Sequence, residues 1–348
     1  MIPARLPRPL RTRIVPNGIA PVNPDSSPFP AMAGVTTYPL ESRPSLVTHE
    51  DFCQVPEPPP GFGALIDSLP DIYVGKWFKE LVDRIVTAKM NDRPVAVALG
   101  AHVLKVGLAP LLIDLMKRGV IDHVAMNGAG AIHDFEIATV GRTSESVDEQ
   151  LPAGRFGFAD ETGAGLAEAS ERGAREVDGT SVGFGRAVGQ MLNERTAPFR
   201  HLSVTAEAAR LGIGCSVHVC LGADIVHMHP AADGAAVGKA SLVDFEHVCA
   251  FVADMDGGCW INVGCAVVLP EVFLKAVSVA LNLGRTLDSI TTANLDMLRQ
   301  YRAETNVIRR PPGRGITILG QHELMLPLWR LGLLAKLAEA GFEPRNGD

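Results

Sequence analysis

The sequence lacks any run of apolar residues long enough to cross a membrane. A spanning helix needs roughly 18 or more consecutive apolar residues, and no stretch of this chain approaches that length. Prolines interrupt the arginine-containing N-terminus, which therefore lacks the apolar segment that directs export. We expect a soluble, cytoplasmic protein with no membrane partner.

The chain also lacks an excess of basic residues. It has 32 Lys and Arg against 39 Asp and Glu, which gives a formal net charge of -7 at pH 7. Nucleic acids and anionic lipids both require a basic binding surface. We therefore expect no nucleic-acid partner and look for small molecules or other proteins instead.

None of the six cysteines belongs to a Cys-x-x-Cys pair. Several of them fall in apolar, strand-like runs, where a free thiol packs as a small hydrophobic group. A chain of 348 residues buries enough apolar surface to be stable without disulfides. We expect reduced cysteines that belong mostly to the core.

Proline is plentiful, and more than half of the 25 prolines lie within residues 1–70. This region shows no sustained period of 2 or 3.6 residues, so it predicts an extended Pro-rich N-terminal arm rather than a domain. Such an arm can wrap the body of the protein, contact a neighbouring subunit or remain loose. Residues 71–348 form the expected domain, with a helical insertion at about 141–200.

From residue 95 onward, short apolar runs alternate with small-residue turns and amphipathic helices. This alternation predicts an α/β fold with a doubly wound, mostly parallel, Rossmann-like sheet. We predict that Pro270 opens a helix over 271–283 and that a last helix runs from Pro327 to about Ala340. The predicted strands cover residues 95–99, 123–126, 215–221, 225–229, 260–263, 289–292 and 316–319.

Ligands of open α/β sheets bind outside the carboxyl ends of the strands. The turn that follows the second predicted strand, Asn127-Gly128-Ala129-Gly130-Ala131, contains a Gly-x-Gly sequence. It is not a complete dinucleotide fingerprint, because His133 stands where the third glycine is expected. Dinucleotide binding and tight strand-to-helix packing both explain these small residues.

His133 and Asp134 follow this turn and are candidate catalytic residues. A helix N-terminus favours the neutral form of a histidine, which suits a general base. The structural alternative is that the two residues cap the helix.

Three further residues are candidates because they follow predicted strands. Glu271 is positioned to anchor an amine or accept a proton, although its spacing from Lys275 also suits an ordinary helical ion pair. His322 and Glu323 precede the last helix, where they could orient a base or cap the helix. Lys105 is a candidate for phosphate binding or imine formation, or it is simply exposed.

His227 and His229 are two residues apart on a predicted strand and would share one face. They suggest a metal site, but no third ligand occurs at a recognisable spacing. We therefore predict no bound metal and keep a metal-dependent hydrolase as an alternative.

Several ordered segments together resemble the deoxyhypusine synthase family. The similarity covers roughly residues 70–300, and its segments lie at 100–104, 120–130, 221–227, 262–264 and 291–293. The resemblance implies a Rossmann-like body, bound NAD and a homotetramer whose sites lie at dimer interfaces. It also implies oxidation of spermidine by NAD and transfer of an aminobutyl group, through an enzyme lysine imine, to a translation-factor precursor.

The resemblance implies which residues contact NAD, and the sequence also departs from the family in three places. Leu269-Pro270-Glu271 replaces a histidine-rich segment of the family. His133 replaces an acidic residue expected after the glycine turn, and the stretch 309–323, where the family has its imine-forming lysine, contains no lysine. The aminobutyl-enzyme imine therefore cannot form there. The implied NAD contacts are Gly100, Ala101, His102, Asn127, Gly128, Ala129, Gly130, Asp224, Gly264, Thr292 and Ala293.

The segment 131–136 also resembles the NAD-dependent ornithine cyclodeaminase domain of archaeal and cyanobacterial type. Both resemblances imply an enzyme that oxidises an amine, a polyamine or an amino acid transiently to an imine and recycles its NAD. On this reading His133 is the base, and Glu271 or Glu323 holds the amine. The alternatives are an amino-acid deaminase or cyclodeaminase and a non-catalytic nucleotide-binding protein of the same fold.

Overall fold

The computed structural model describes residues 34–345, so residues 1–33 of the predicted arm and residues 346–348 lie outside it. The strands are β1 (Ser45–Thr48), β2 (Val95–Leu99), β3 (His123–Asn127), β4 (Arg142–Glu145), β5 (Glu176–Val177), β6 (Thr180–Ser181), β7 (Gly214–His218), β8 (Cys259–Val263), β9 (Thr291–Asp296) and β10 (Arg314–Leu319). The α-helices are α1 (Phe62–Asp67), α2 (Tyr73–Met90), α3 (Ala101–Lys105), α4 (Ala109–Lys117), α5 (Gly128–Val140), α6 (Val147–Gln150), α7 (Asp160–Ala174), α8 (Phe184–Glu194), α9 (Val204–Leu211), α10 (Gly234–Ala253), α11 (Val268–Asn282), α12 (Tyr301–Ala303) and α13 (His322–Glu339). Short 3-10 helices cover Leu40–Ser42, His49–Asp51, Arg200–Leu202 and Ile225–Met228, and a π-helix covers Glu304–Arg309.

Six parallel strands form the central sheet, in the order β10-β9-β8-β2-β3-β7. The chain winds outward from β2 through β3 to β7, then returns to β8 beside β2 and winds outward the other way. The strand order therefore reverses between β2 and β8. In doubly wound folds this point opens the crevice that binds ligands, and the predicted α/β, Rossmann-like fold class is confirmed.

The sheet is buried on both faces because its strands are apolar on both. Along β2, Val95, Val97 and Leu99 pack into one hydrophobic core, while Ala96 and Ala98 pack into a second core across the sheet. Parallel strands covered by helices on both sides need this continuous apolar sequence. The alternating side chains of β2 thus explain the three-layer arrangement.

The predicted strand at 289–292 lies early, since β9 is Thr291–Asp296, and the strand predicted to reach residue 221 ends at His218. Two other elements differ more. Residues 225–229 do not form a strand, because Ile225–Met228 is a 3-10 helix whose residues are only partly buried. The last helix begins at His322 rather than at Pro327, so this proline lies inside α13. The sequence rule places proline in the first turn because it lacks an N–H, and here the helix tolerates it further along.

The described part of the predicted arm, residues 34–70, lies against the body of the protein. β1 pairs with β4 in antiparallel register, and Phe52, Phe62 and Ile66 join the larger hydrophobic core. Of the three alternatives for the arm, these residues follow the first one and wrap the body. The region predicted as an insertion contains β4, α6, α7 and α8, together with the hairpin of β5 and β6.

The structure also shows how its helices compare with a membrane span and in what state its cysteines are. No helix among residues 34–345 is long and apolar enough to cross a membrane. All six cysteines are free thiols, and Cys215, Cys259 and Cys265 are buried.

Asp244 should make the stability of the protein depend on pH. This residue of α10 is fully buried, and its Oδ2 accepts the N–H groups of Gly185 at 2.9 Å and Val217 at 2.7 Å. Burial raises its pKa to about 8, whereas the unfolded value is about 3.9. The folded state therefore binds more protons than the unfolded state between these values, and stability falls as pH rises from about 4 to about 8.

We expect Asp244→Asn to remove this part of the pH dependence, because the amide does not titrate. Urea unfolding of the wild type and the variant at several pH values between 4 and 8 measures the difference. Parallel curves for the two proteins would contradict the prediction.

Candidate functional site

The turns after β2 and β8 meet closely at the point where the strand order reverses. A Cβ atom on Gly100 would lie 1.9 Å from the carbonyl oxygen of Gly264, and a Cβ on Gly264 would lie 2.7 Å from Cε1 of His322. Gly264 also has a φ of +63°, which side-chain-bearing residues adopt only with strain. Both glycines are therefore required by the packing of the crevice floor.

Two histidines and a glutamate from α3 and α13 lie beside these turns. The rings of His102 and His322 have centroids 5.6 Å apart, and Nε2 of His102 is 4.0 Å from a carboxylate oxygen of Glu323. Within residues 34–345, Nε2 of His102 and Nδ1 of His322 are buried and have no hydrogen-bond partner. A buried nitrogen without a partner costs about 1–3 kcal/mol, so both atoms suit a polar ligand.

The turn after β3 supplies the neighbouring wall. Asn127 caps α5 by accepting the N–H of Gly130 at 2.9 Å. A Cβ on Gly128 would lie 2.2 Å from a carboxylate oxygen of Asp224, so this acid, which comes from the loop after β7, rests on the first turn of α5. The structure thus places Gly128 against Asp224, two of the residues that the family resemblance implies as NAD contacts.

His133 lies in the second turn of α5 and is mostly buried. Burial lowers the pKa of His133. The charge of Glu136 raises this pKa, and those of Lys105, Arg43 and His102 lower it. The sequence attributed its neutral form to the helix dipole, but the dipole acts within the first turn. In the structure it is burial, rather than the helix dipole, that keeps the imidazole of His133 neutral at pH 7.

Three residues that the sequence did not single out support His133. Its Nδ1 is 2.7 Å from Oγ1 of Thr143, and this hydroxyl donates to Oε2 of Glu136 at 2.5 Å. Arg43, from the N-terminal segment, forms two hydrogen bonds with the Glu136 carboxylate, at 2.9 and 2.7 Å. Arg43 is 93 residues from Glu136, so no local sequence pattern could have revealed the pair.

Asp134 does not share the crevice with His133. Its carboxylate is buried and accepts the hydroxyls of Ser203 and Thr205, both at 2.6 Å, and the N–H groups of Val204 and Thr205. It therefore fixes the start of α9. Because neighbouring helical residues point about 100° apart, Asp134 faces the protein interior instead.

The Glu271 carboxylate already has three partners. Lys275, Arg302 and Asn306 donate hydrogen bonds to it, and the hydrogen bonds from Lys275 and Arg302 lower its pKa to about 2. Such a carboxylate is a poor proton acceptor at neutral pH. The ordinary ion-pair interpretation of Glu271 and Lys275 thus describes the structure better than a catalytic one.

Thr292 and Ala293 lie inside β9, away from the carboxyl edge. Both are buried, and they pair with Trp260 and Ile261 of β8. Ala293 precedes the last residue of the strand, Asp296, by three positions, or about 10 Å at about 3.3 Å per residue. The structure therefore does not bring these two residues to the crevice.

The two histidines of the metal alternative are held apart by their local structure. Nε2 of His229 is 3.4 Å from Oδ1 of Asp160, and its Nδ1 accepts the N–H of Ala231. His227 lies in the 3-10 helix, so the shared strand face does not exist. Among residues 34–345, no group of three or more His, Cys, Asp or Glu side chains is arranged to hold a metal ion.

Comparison with known proteins finds likeness in structure only. No family model matches the chain, and no curated protein matches its sequence. The chain is similar to AgrE, solved as a ternary complex with ornithine and NAD+, with a TM-score of 0.50 and 13% identity over 82% of this chain and 35% of AgrE. This likeness shows the fold.

Two other solved structures are similar at lower scores. One is ArgZ, an arginine dihydrolase from the ornithine-ammonia cycle in Cyanobacteria, with a TM-score of 0.46 and 15% identity over 75% of this chain and 33% of ArgZ. The other is a putative deoxyhypusine synthase from Entamoeba histolytica, with a TM-score of 0.40 and 11% identity over 82% of this chain and 95% of that one. The chain thus spans about a third of the length of AgrE and of ArgZ.

Proposed function

We propose that this protein is an NAD-dependent enzyme that acts on an amine or amino acid by transient dehydrogenation to an imine. The observation that carries the proposal is a neutral, supported histidine, His133, beside the glycine turns at the point where the strand order reverses. The likeness in fold to AgrE, which was solved with ornithine and NAD+, supports the proposal. Membership of the deoxyhypusine synthase family is part of the same proposal.

The residues of the crevice fit a dinucleotide. The glycine turn at Gly128 brings its backbone against the Asp224 carboxylate, and this carboxylate can accept hydrogen bonds from ribose hydroxyls. The unpartnered nitrogens of His102 and His322 add polar contacts. When bound, NAD accepts a hydride from the carbon that carries the substrate nitrogen and later returns it.

The protein residues then manage the proton and the amine charge. Formation of the imine requires a proton to leave the substrate nitrogen, and the neutral imidazole of His133 is the group that accepts it. Glu323, about half exposed beside His102, is free to hold a cationic amine, whereas Glu271 is engaged by cations. Residues 309–323 contain no lysine, so the substrate cannot form a covalent imine with that part of the chain.

Native mass spectrometry of the purified protein tests the proposal first. Denaturation should release NAD at about one molecule per chain, and metal analysis of the same sample tests the hydrolase alternative. The native mass also tests the homotetramer that we propose from the family resemblance. A protein that carries no NAD and binds none when NAD is added would overturn the proposal.

Turnover is tested next, with ornithine, arginine and spermidine as separate substrates in the presence of NAD. We expect product to form from one of them while the NAD concentration stays constant, because the cofactor is recycled. The missing lysine specifically favours a second candidate, a non-catalytic nucleotide-binding protein. Stoichiometric NAD with no conversion of any of the three substrates would favour that candidate.

A further inference from the structure

The side chain of Thr143 connects His133 to a buried carboxylate. Thr143 is fully buried, and its Oγ1 lies 2.7 Å from Nδ1 of His133 and 2.5 Å from Oε2 of Glu136. A hydroxyl group has one proton to donate and accepts through its lone pairs. The direction of these two contacts is therefore linked.

The Glu136 carboxylate decides that direction. A guanidinium only donates, so both Glu136 oxygens accept hydrogen bonds from Arg43, and Oε2 also accepts from Thr143. The proton of Thr143 therefore points to Glu136, and Nδ1 of His133 must donate to the hydroxyl. Nε2 is then the ring nitrogen that keeps a lone pair.

The Glu136 carboxylate is fixed from all sides. Its Oε1 accepts from Arg43 and, at 3.1 Å, from the hydroxyl of Thr162, while its Oε2 accepts from Arg43 and Thr143. Arg43 also lies 3.9 Å from Glu145 of β4. The orientation of Thr143 is thus set by three separate parts of the chain, namely the N-terminal segment, α5 and α7.

We propose that Thr143 is a positioning residue that holds His133 in the tautomer protonated at Nδ1, so that Nε2 is the atom that accepts the proton from the substrate. Its catalytic consequence rests on the proposed function, but the tautomer does not. The arrangement resembles in logic a carboxylate that orients a catalytic histidine, with a threonine hydroxyl placed between the two groups. The N-terminal segment takes part through Arg43.

Nuclear magnetic resonance of 15N-histidine-labelled protein tests the tautomer directly. The signals of His133 are assigned by their absence in His133→Ala. We expect Nδ1 of wild-type His133 to be protonated and Nε2 to be unprotonated above the pKa of the ring. In Thr143→Val, which keeps the shape and removes the hydroxyl, the ring should change to the other tautomer or to a mixture.

Thr143→Ser is the matched control, because it restores the hydroxyl. It should keep the wild-type signals. If Thr143→Val fails to fold, the tautomer of the wild-type ring still tests the proposal. Unchanged His133 signals in folded Thr143→Val, or a wild-type ring protonated at Nε2, would overturn the proposal.

Kinetics separate positioning from substrate binding. Once a substrate is known, Thr143→Val should lower kcat about 10-fold with little change in KM, and Thr143→Ser should stay near the wild type. The pH profile should also shift in Thr143→Val, because His133 then faces Glu136, Lys105, Arg43 and His102 without the hydroxyl. If the His133 signals show the expected tautomer but no amine is converted, the proposed function fails and the positioning role of Thr143 stands. If an amine is converted but the His133 signals are unchanged in Thr143→Val, the positioning role fails and the proposed function stands.

Discussion

His133→Ala should reduce turnover about 100-fold or more while leaving NAD binding unchanged. Loss of a general base typically costs 100- to 10,000-fold in rate, and in the proposed reaction no other group in the crevice replaces His133. His102 does not replace His133 as the base, because His102 lies against His322 and Glu323. NAD affinity should stay constant because the proposed contacts are the glycine turns and Asp224.

The pH dependence of the wild type should carry the same signature. Burial lowers the pKa of His133, so the imidazole is already neutral at pH 7 and can accept a proton. As pH falls through this pKa, kcat/KM should decrease because the protonated ring is no longer a base. That acid limb should be absent from the residual activity of His133→Ala.

His201→Ala is the matched control, since His201 is exposed in the 3-10 helix Arg200–Leu202. It removes the same side chain without touching the crevice and should retain wild-type kcat and KM. Steady-state kinetics and NAD titration on the three proteins make the comparison. Wild-type turnover in His133→Ala would refute its role as base, and loss of NAD binding would assign the residue to the cofactor instead.

The fold was predictable because its strands are buried on both faces. Such strands appear in the sequence as short continuous apolar runs, and the run at 95–99 matches β2 to the residue. The run at 225–229 has the same appearance, but short apolar runs do not distinguish a strand from other structures. There the chain forms a partly buried 3-10 turn between Gly222 and Pro230.

The candidate site was only partly predictable. His133 and Asp134 are equivalent in the sequence, and the helical rotation of α5 decides which one points to the crevice. The contacts that give His133 its function, with Thr143, Glu136 and Arg43, join distant segments. Their partners are chosen by tertiary packing, for which a single sequence carries no spacing signal.

Arg43→Ala should have the largest effect on stability among the substitutions considered. Arg43 and Glu136 are 2% and 1% exposed, and two hydrogen bonds join the guanidinium to the carboxylate. Removal of one partner of a buried pair leaves the other charge uncompensated and costs about 3–5 kcal/mol. Urea unfolding should therefore show a markedly lower midpoint for Arg43→Ala.

Arg172→Ala is the control for the loss of an arginine at the surface. Arg172 pairs with Glu168 and Glu194, and all three side chains are more than a third exposed. Exposed pairs contribute below about 1 kcal/mol, so this variant should unfold close to the wild type. Equal effects of the two arginine variants would contradict the importance of burial.

A second substitution identifies the cause of the loss. If Arg43→Ala is destabilising because Glu136 remains charged and buried, adding Glu136→Gln should recover part of the lost stability, since a neutral amide needs no counter-charge. Thr143 and Thr162 contact different oxygens of the carboxylate, so one hydroxyl can donate to the amide oxygen and the other can accept from the amide NH2. A double variant less stable than Arg43→Ala would instead mean that the arginine acts mainly by packing the N-terminal segment onto α5. In that case the N-terminal segment would hold His133 in place through packing contacts rather than through the charge of Arg43.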